Sequence, residues 1–278
     1  QGPRAGQLSP VIGIVYSGLG AGVILWVPIT NQLIEILGWR ETYRVLGLIL
    51  CAVAIIVFAL PWKKLQVETP PYSDAGRFHD GRKNGHLRAA LKTKVFWLLF
   101  MIMFITAVAM YLVGPQLVAY LVSVGFDSTV ASLAFSINGF LTVFGIAGTG
   151  WLATHFGMKR VATVSYAMSI TAFLFLICLS MNPGMILLIL AILPLGLSQG
   201  ARGPIVSVLV SRAFSGQGLG AVYGAMTMGV GLGGMSGTLL SGVFYDMTGG
   251  YILSYCVSVV CALTGVGLFW TIQESQNQ

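Results

Sequence analysis

The chain has 278 residues, 56% of them hydrophobic and 8% charged, whereas about a quarter of a soluble domain is charged. A water-covered globular protein is therefore excluded. The formal charge of +7 would suit a nucleic-acid binder, but eight of the fifteen Lys and Arg lie in one polar segment between Trp62 and Lys94, so no nucleic-acid partner is expected.

A hydrocarbon core of about 30 Å needs about 20 apolar residues at 1.5 Å each, and eight segments meet that length. The first, 9 to 37, contains Trp26 and Pro28 and exits through GWRETY; the second is 43 to 61. The basic segment 62 to 94 follows. The third span, 95 to 123, carries Tyr111, Gln116 and Tyr120 around Gly114-Pro115, and the fourth, 129 to 153, carries Asn138. The fifth is 161 to 181. The sixth, 184 to 211, contains Pro194, Gln199, Arg202 and Gly203-Pro204; the seventh, 218 to 245, is rich in glycine and includes Tyr223; the eighth is 251 to 272. Barrel-type alternation is absent, and unsatisfied backbone groups are too costly in lipid for anything but helices. The expected fold is all-α, a polytopic membrane protein with eight transmembrane helices. Kinks are expected at Gly114-Pro115, Pro194 and Gly203-Pro204, where proline removes a helix hydrogen bond.

Cys51, Cys178, Cys256 and Cys261 all fall within spans, without metal-ligand or disulfide spacing. No histidine lies in a span and no nucleophile has a base partner. Neither enzymatic activity, a metal nor a cofactor is expected. With eight spans and the basic segment inside, twelve basic residues face the cytoplasm and two, Arg40 and Arg44, face out. The positive-inside rule then places both ends in the cytoplasm, in a membrane of the bacterial inner type, with anionic headgroups beside the basic segment.

The chain also repeats itself. Gly18-Leu19-Gly20 matches Gly231-Leu232-Gly233, and Gly38-Trp39 with Tyr43 matches Gly250-Tyr251 with Tyr255; a single gap aligns both clusters. If the first and seventh spans are equivalent, the repeat has six spans and four more are expected upstream. Residues 1–61 then hold the last two helices of a first half, 62–94 the linker and 95–278 a complete second half. Two six-span halves with a site between them is a secondary-transporter plan.

GWLATHFGMKR, Gly150 to Arg160, gives the plan a family. It resembles the signature loop of the major facilitator superfamily, Gly-x-x-x-Asp-x-x-Gly followed by basic residues: Gly150, Gly157, Lys159 and Arg160 match, and Thr154 stands where Asp is usual. The resemblance implies a charge network that latches the cytoplasmic side, here without its acid. GVFYDMTGGY, with Asp246, Thr248, Gly249 and Tyr251, and the GWRETY exit are similar to the eleventh and fifth helices of the monocarboxylate-transporter-like and oxalate/formate-exchanger-like branch. That branch carries Asp and Arg in its eighth helix, where this chain has Asn138. Proton coupling through such a pair is therefore not implied.

Gly229, Gly233 and Gly237 recur every fourth residue, as do Gly220 with Gly224 and Gly18 with Gly22, so small faces allow close helix approach. They read equally as a static packing seam or, by the resemblance, as sliding faces between halves. On the latter reading helix five meets helix eight, and the helix-two partner of Gly229, Gly233 and Gly237 lies upstream of this chain.

Arg202 is the one charge deep in a span. A charge there costs several kcal/mol, by estimates from about 2.5 upward, so a partner is required. Glu35, Glu41, Glu68, Asp74, Asp80, Asp127, Asp246 and Glu274 all lie at span ends or in loops. The partner is a carboxylate in helices outside this chain, a set of backbone carbonyls or an anionic ligand, to which the planar guanidinium fork is suited. Arg202 lies about 27 Å along its span from Gly184, deep enough to snorkel to the cytoplasmic interface instead. Gln199, Asn138, Tyr111, Gln116, Tyr120, Tyr223 and Trp26 complete the candidate substrate set.

The expected activity is secondary transport of small organic anions, carboxylates above all, by alternating access, with a proton or counter-anion, in a monomer within the bilayer. The alternatives are an exporter of drugs or neutral metabolites, and an inactive fragment lacking four helices.

Overall fold

A computed structural model describes residues 5–59, 87–214 and 219–276. Every element among them is helical: α1 Ala5–Ala59, α2 Lys94–Tyr111, a 3-10 turn Gly114–Gln116, α3 Leu117–Ser123, α4 Ser128–Phe156, α5 Met158–Met181, α6 Met185–Ala213, α7 Leu219–Thr248 and α8 Ile252–Gln276. Lys94–Ser123, Ser128–Ala153, Met158–Met181 and Ile252–Thr271 are each long and apolar enough to cross a membrane. The basic segment expected over 62–94 lies, as far as residue 86, outside the described residues.

Local chemistry sets the breaks. α1 is two helical legs joined at Gly38 (φ 76°, ψ 163°), a conformation open to glycine and strained for residues with a Cβ. The break falls between the first and second expected spans. Pro115 has no N–H to continue α2, and the chain passes through the 3-10 turn before α3. α6, by contrast, runs without a break through Pro194 and Pro204. Thr93 Oγ1 caps α2 by accepting from Phe96 N–H (3.3 Å), and Asp127 Oδ2 caps α4 by accepting from Thr129 N–H (2.8 Å). The bonds to this cap hold the Asp127 carboxyl below the usual carboxylate range.

α2 packs against α7 and α8, α8 against α5, α5 against α6, and α6 against α4, while α1 lies along α4. The last contact joins the first element to the helix of the fourth expected span. Ser128 Oγ–H donates to Glu35 Oε1 (2.9 Å) at the start of α4, and Asn31 donates to the same oxygen (3.0 Å). The second leg of α1 leaves Leu48, Ile55 and Phe58 exposed.

Two hydrophobic clusters fill the α2–α8 bundle. One, toward the α5–α6 turn, gathers Leu112, Leu117, Tyr120, Phe173, Leu176 and Leu195. The other, toward the α4–α5 turn, gathers Phe96, Leu99, Ile205, Leu209, Met226 and Phe269. Between them lies a layer of buried polar side chains on α4, α5 and α6: Asn138, Ser165, Ser169, Ser198 and Arg202.

The glycine face of α7 meets α2. A methyl group placed at Gly229, Gly233 or Gly237 would come within 3.0 Å of Phe100 O, 2.8 Å of Ala107 Cβ and 2.8 Å of Val108 O respectively. This corrects the expectation that these glycines await a helix outside the chain. Their partner is α2, which offers its own backbone as the surface that small residues can touch. Gly220 and Gly224, a separate pair with the same spacing of four, have nothing within 4 Å of such a methyl.

Candidate functional site

A cavity of about 510 Å³ opens among α2, α4, α6 and α7. Apolar side chains form most of its wall, including Ile102, Met103, Met110, Phe135, Val206 and Val230; Thr106, Tyr111, Thr142, Gln199 and Arg202 are its polar members.

Arg202 does not snorkel. It is only 7% exposed, and its side chain turns toward α5 rather than along α6 to the interface. Nε–H donates to Ser165 Oγ (3.3 Å); Nη2 donates to Ser165 O (3.3 Å) and to Ser169 Oγ. The guanidinium carbon sits 4.2 Å from the centre of the Tyr166 ring, within the range of a cation–π contact. One face and the Nε edge of the guanidinium are thus engaged. Nη1 takes part in none of these bonds.

The residues behind Arg202 are themselves held. Ser169 Oγ–H donates to Ser198 Oγ (2.7 Å), Ser165 Oγ–H to Ser198 O (3.2 Å), and Tyr166 shares a hydrogen bond with Thr106 Oγ1 on α2 (2.7 Å). Hydroxyls and one carbonyl satisfy part of a buried cation without neutralising it. Among the described residues the one ion pair is Arg44–Glu41, exposed on α1, so no described carboxylate meets Arg202.

Asn138, 4% exposed, donates from Nδ2 to Gln199 Oε1 (3.4 Å), while its Oδ1 has no partner. Gln199 lines the cavity one turn before Arg202. This corner is drawn tight by glycines: a methyl at Gly196 would stand 2.8 Å from Asn138 O, one at Gly200 2.7 Å from Ile146 N, and one at Gly145 3.0 Å from Leu197 C. Gly196 and Gly200 repeat the spacing of four on α6 and were passed over in the sequence, whereas Gly145 on α4 shows no such spacing with them.

The other candidates divide. Tyr111 lies on the wall, its ring against Gly234 and its Cβ against Gly237. Gln116 sits on the 3-10 turn outside the wall. Tyr120 points into the core instead, bonding Leu176 O and meeting the rings of Tyr251 (5.7 Å) and Tyr255 (4.9 Å) edge-on. Tyr223 packs against the cluster near the α4–α5 turn, and Trp26 is half-exposed on α1. Ser165, Tyr166, Ser169 and Ser198 were missed. Their signal was present in the sequence as Ser165/Ser169 and Ser198/Arg202, two polar pairs four residues apart in apolar helices.

In the signature loop, Gly157 (φ 84°) closes α4 and opens α5; the side-chain surroundings of Gly150 and Thr154 lie outside the described residues. Lys159 Nζ stands 3.8 Å from the Trp270 ring of α8, whose Nε1–H donates to Thr163 Oγ1 (3.2 Å). This basic residue is thus tied to α8. Asp246 is exposed near the end of α7.

The family profile described as Major Facilitator Superfamily matches residues 4–201 and 99–277. The chain is also similar to "Uncharacterized MFS-type transporter YcxA" of Bacillus subtilis (strain 168), 26% identical over 266 residues. That alignment covers 90% of this chain and 60% of the relative, so the chain spans less than two thirds of the relative's length.

Proposed function

The chain belongs to the major facilitator superfamily, a family of multi-pass membrane transporters, and from that premise we propose that it carries small organic anions, carboxylates foremost. One observation carries the reading: Arg202 is buried at the wall of a cavity, oriented by hydroxyls and a tyrosine ring, and meets no described carboxylate. An anion entering there gains charge-assisted hydrogen bonds in a poorly solvated setting, where such bonds are strongest. Gln199 and Thr142 lie on the same wall to bond the rest of the solute. The negative charge moves with a proton or against a counter-anion, in a monomer of the bacterial inner membrane with both ends of this chain in the cytoplasm.

The mostly apolar wall favours a second reading, export of drugs or neutral metabolites, in which Arg202 is a structural strut. Uptake of a carboxylate panel into proteoliposomes by the full gene product separates the two. On the anion reading Arg202→Gln lowers kcat/KM about a hundredfold or more, and Arg202→Lys falls between, since an ammonium keeps the charge and loses the planar fork. Unchanged kinetics in both variants would leave the second reading standing.

A further inference from the structure

A second cavity, of about 590 Å³, lies between α2 and α8 and is lined by Lys92, Thr93, Lys94, Trp97, Leu98, Met101, Ile105, Thr264 and Leu268. At 100° per residue, Trp97, Leu98, Met101 and Ile105 share one face of α2, opposite the face centred on Met103, Thr106, Ala107 and Met110 that lines the Arg202 cavity. The groove therefore belongs to the outside of the bundle.

Its chemistry is graded along its length. Lys92 and Lys94 flank Thr93, the residue that caps α2, so two ammonium groups gather where the helix also presents unpaired N–H groups. Trp97 comes next, its plane fixed by Nε1–H donating to Leu91 O (2.9 Å) and by edge contacts with Phe96 and Phe100, both 5.6 Å between ring centres. Beyond it, Leu98, Met101, Ile105 and Leu268 are apolar, and the Thr264 hydroxyl beside them donates to Val260 O within its own helix (2.5 Å). Cation, interfacial indole and apolar floor, in that order along a membrane helix, match the order of phosphate, glycerol backbone and acyl chain in a phospholipid.

We propose that this groove is a site for one anionic glycerophospholipid, its phosphate between Lys92 and Lys94 and an acyl chain along Met101 and Ile105. The sequence leading into it adds attraction for such a lipid: residues 62–94 hold eight Lys and Arg against Glu68, Asp74 and Asp80.

The test is native mass spectrometry of the full gene product in mild detergent, titrated with phosphatidylglycerol, phosphatidylcholine or inorganic phosphate. One phosphatidylglycerol is expected to stay bound, at least about tenfold more tightly than phosphatidylcholine. The double variant Lys92→Gln/Lys94→Gln is expected to weaken it about thirtyfold, from the attraction that each lysine has for an anionic headgroup, and Lys92→Arg/Lys94→Arg to retain it. Met101→Trp, at a half-exposed floor position that tolerates a larger ring, leaves both charges in place and is expected to displace the lipid without lowering Tm. Phosphatidylcholine held as tightly, full retention by the Gln pair, retention by Met101→Trp, or displacement by inorganic phosphate alone would each overturn the proposal.

Discussion

Two glycine seams flank the Arg202 cavity, and they differ in where their information resides. On the α2–α7 side all three glycines lie on α7, which rests on the backbone of α2 at Phe100, Phe104 and Val108. On the α4–α6 side Gly145 belongs to one helix and Gly196 and Gly200 to the other, each facing backbone across the contact. The first seam is a periodic face against an ordinary helix. The second is an interlock, and it carries Asn138, Thr142 and Gln199 on its flank. Disturbing either therefore moves cavity wall: Thr142 and Gln199 beside the second seam, Ala107 and Tyr111 beside the first.

The sharpest way to break this comparison is to overfill each seam. Gly200→Leu directs a large side chain into Thr142 O and Ile146, and the expected result is loss of folded protein by fluorescence-detected size-exclusion chromatography. Gly233→Ala is milder: one methyl against Phe104 O and Ala107 costs about 1–3 kcal/mol, the range for overpacking, read as a fall in Tm of a few degrees with folded protein retained. A matching fall for Gly224→Ala would mean that the spacing of four, not the observed contact, decides the cost. Since Gly224 faces open space, that variant is expected to be neutral or to stabilise by up to about 1 kcal/mol through helix propensity.

Tyr166 sharpens the comparison from the cavity side, and its effects are smaller than those of Gly200→Leu. Tyr166→Phe keeps a ring under Arg202 and gives up the bond to Thr106, worth about 1 kcal/mol, so Tm falls modestly and anion KM holds. Tyr166→Leu also removes the cation–π contact, worth about 0.5–2 kcal/mol, and is expected to raise anion KM several-fold more than Phe does. Equal KM values for Phe and Leu would show that the ring does not position the guanidinium.

Much of the architecture was legible in the chain. Hydropathy placed the breaks near Gly38, Gly125, Gly157 and Gly184, since each span must be long enough for the bilayer and each turn needs a residue that ends a helix, and proline marked the interruption at Gly114-Pro115. Composition and the loop GWLATHFGMKR pointed to the superfamily that the comparisons established. Arg202 stood out for the same local reason: a charge among apolar neighbours is conspicuous without knowing what it touches. Its surroundings were not legible. Ser165 and Ser169 are more than 30 residues away in sequence, and serine in an apolar helix is uninformative until a cation is found opposite it.

The sequence by itself determined an all-helical membrane chain, its punctuation, its family resemblance and the presence of one buried cation, because hydropathy, proline and glycine act on the residues that carry them. Only the tertiary structure decided that α7's glycines pack on α2, that Tyr120 belongs to an aromatic core and not to the cavity wall, and that Arg202 turns away from the interface onto Tyr166 and two serines. These outcomes depend on which helix faces are brought together and how closely. That geometry arises from interlocking side chains on separate helices, so it has no counterpart in the pattern of any one of them.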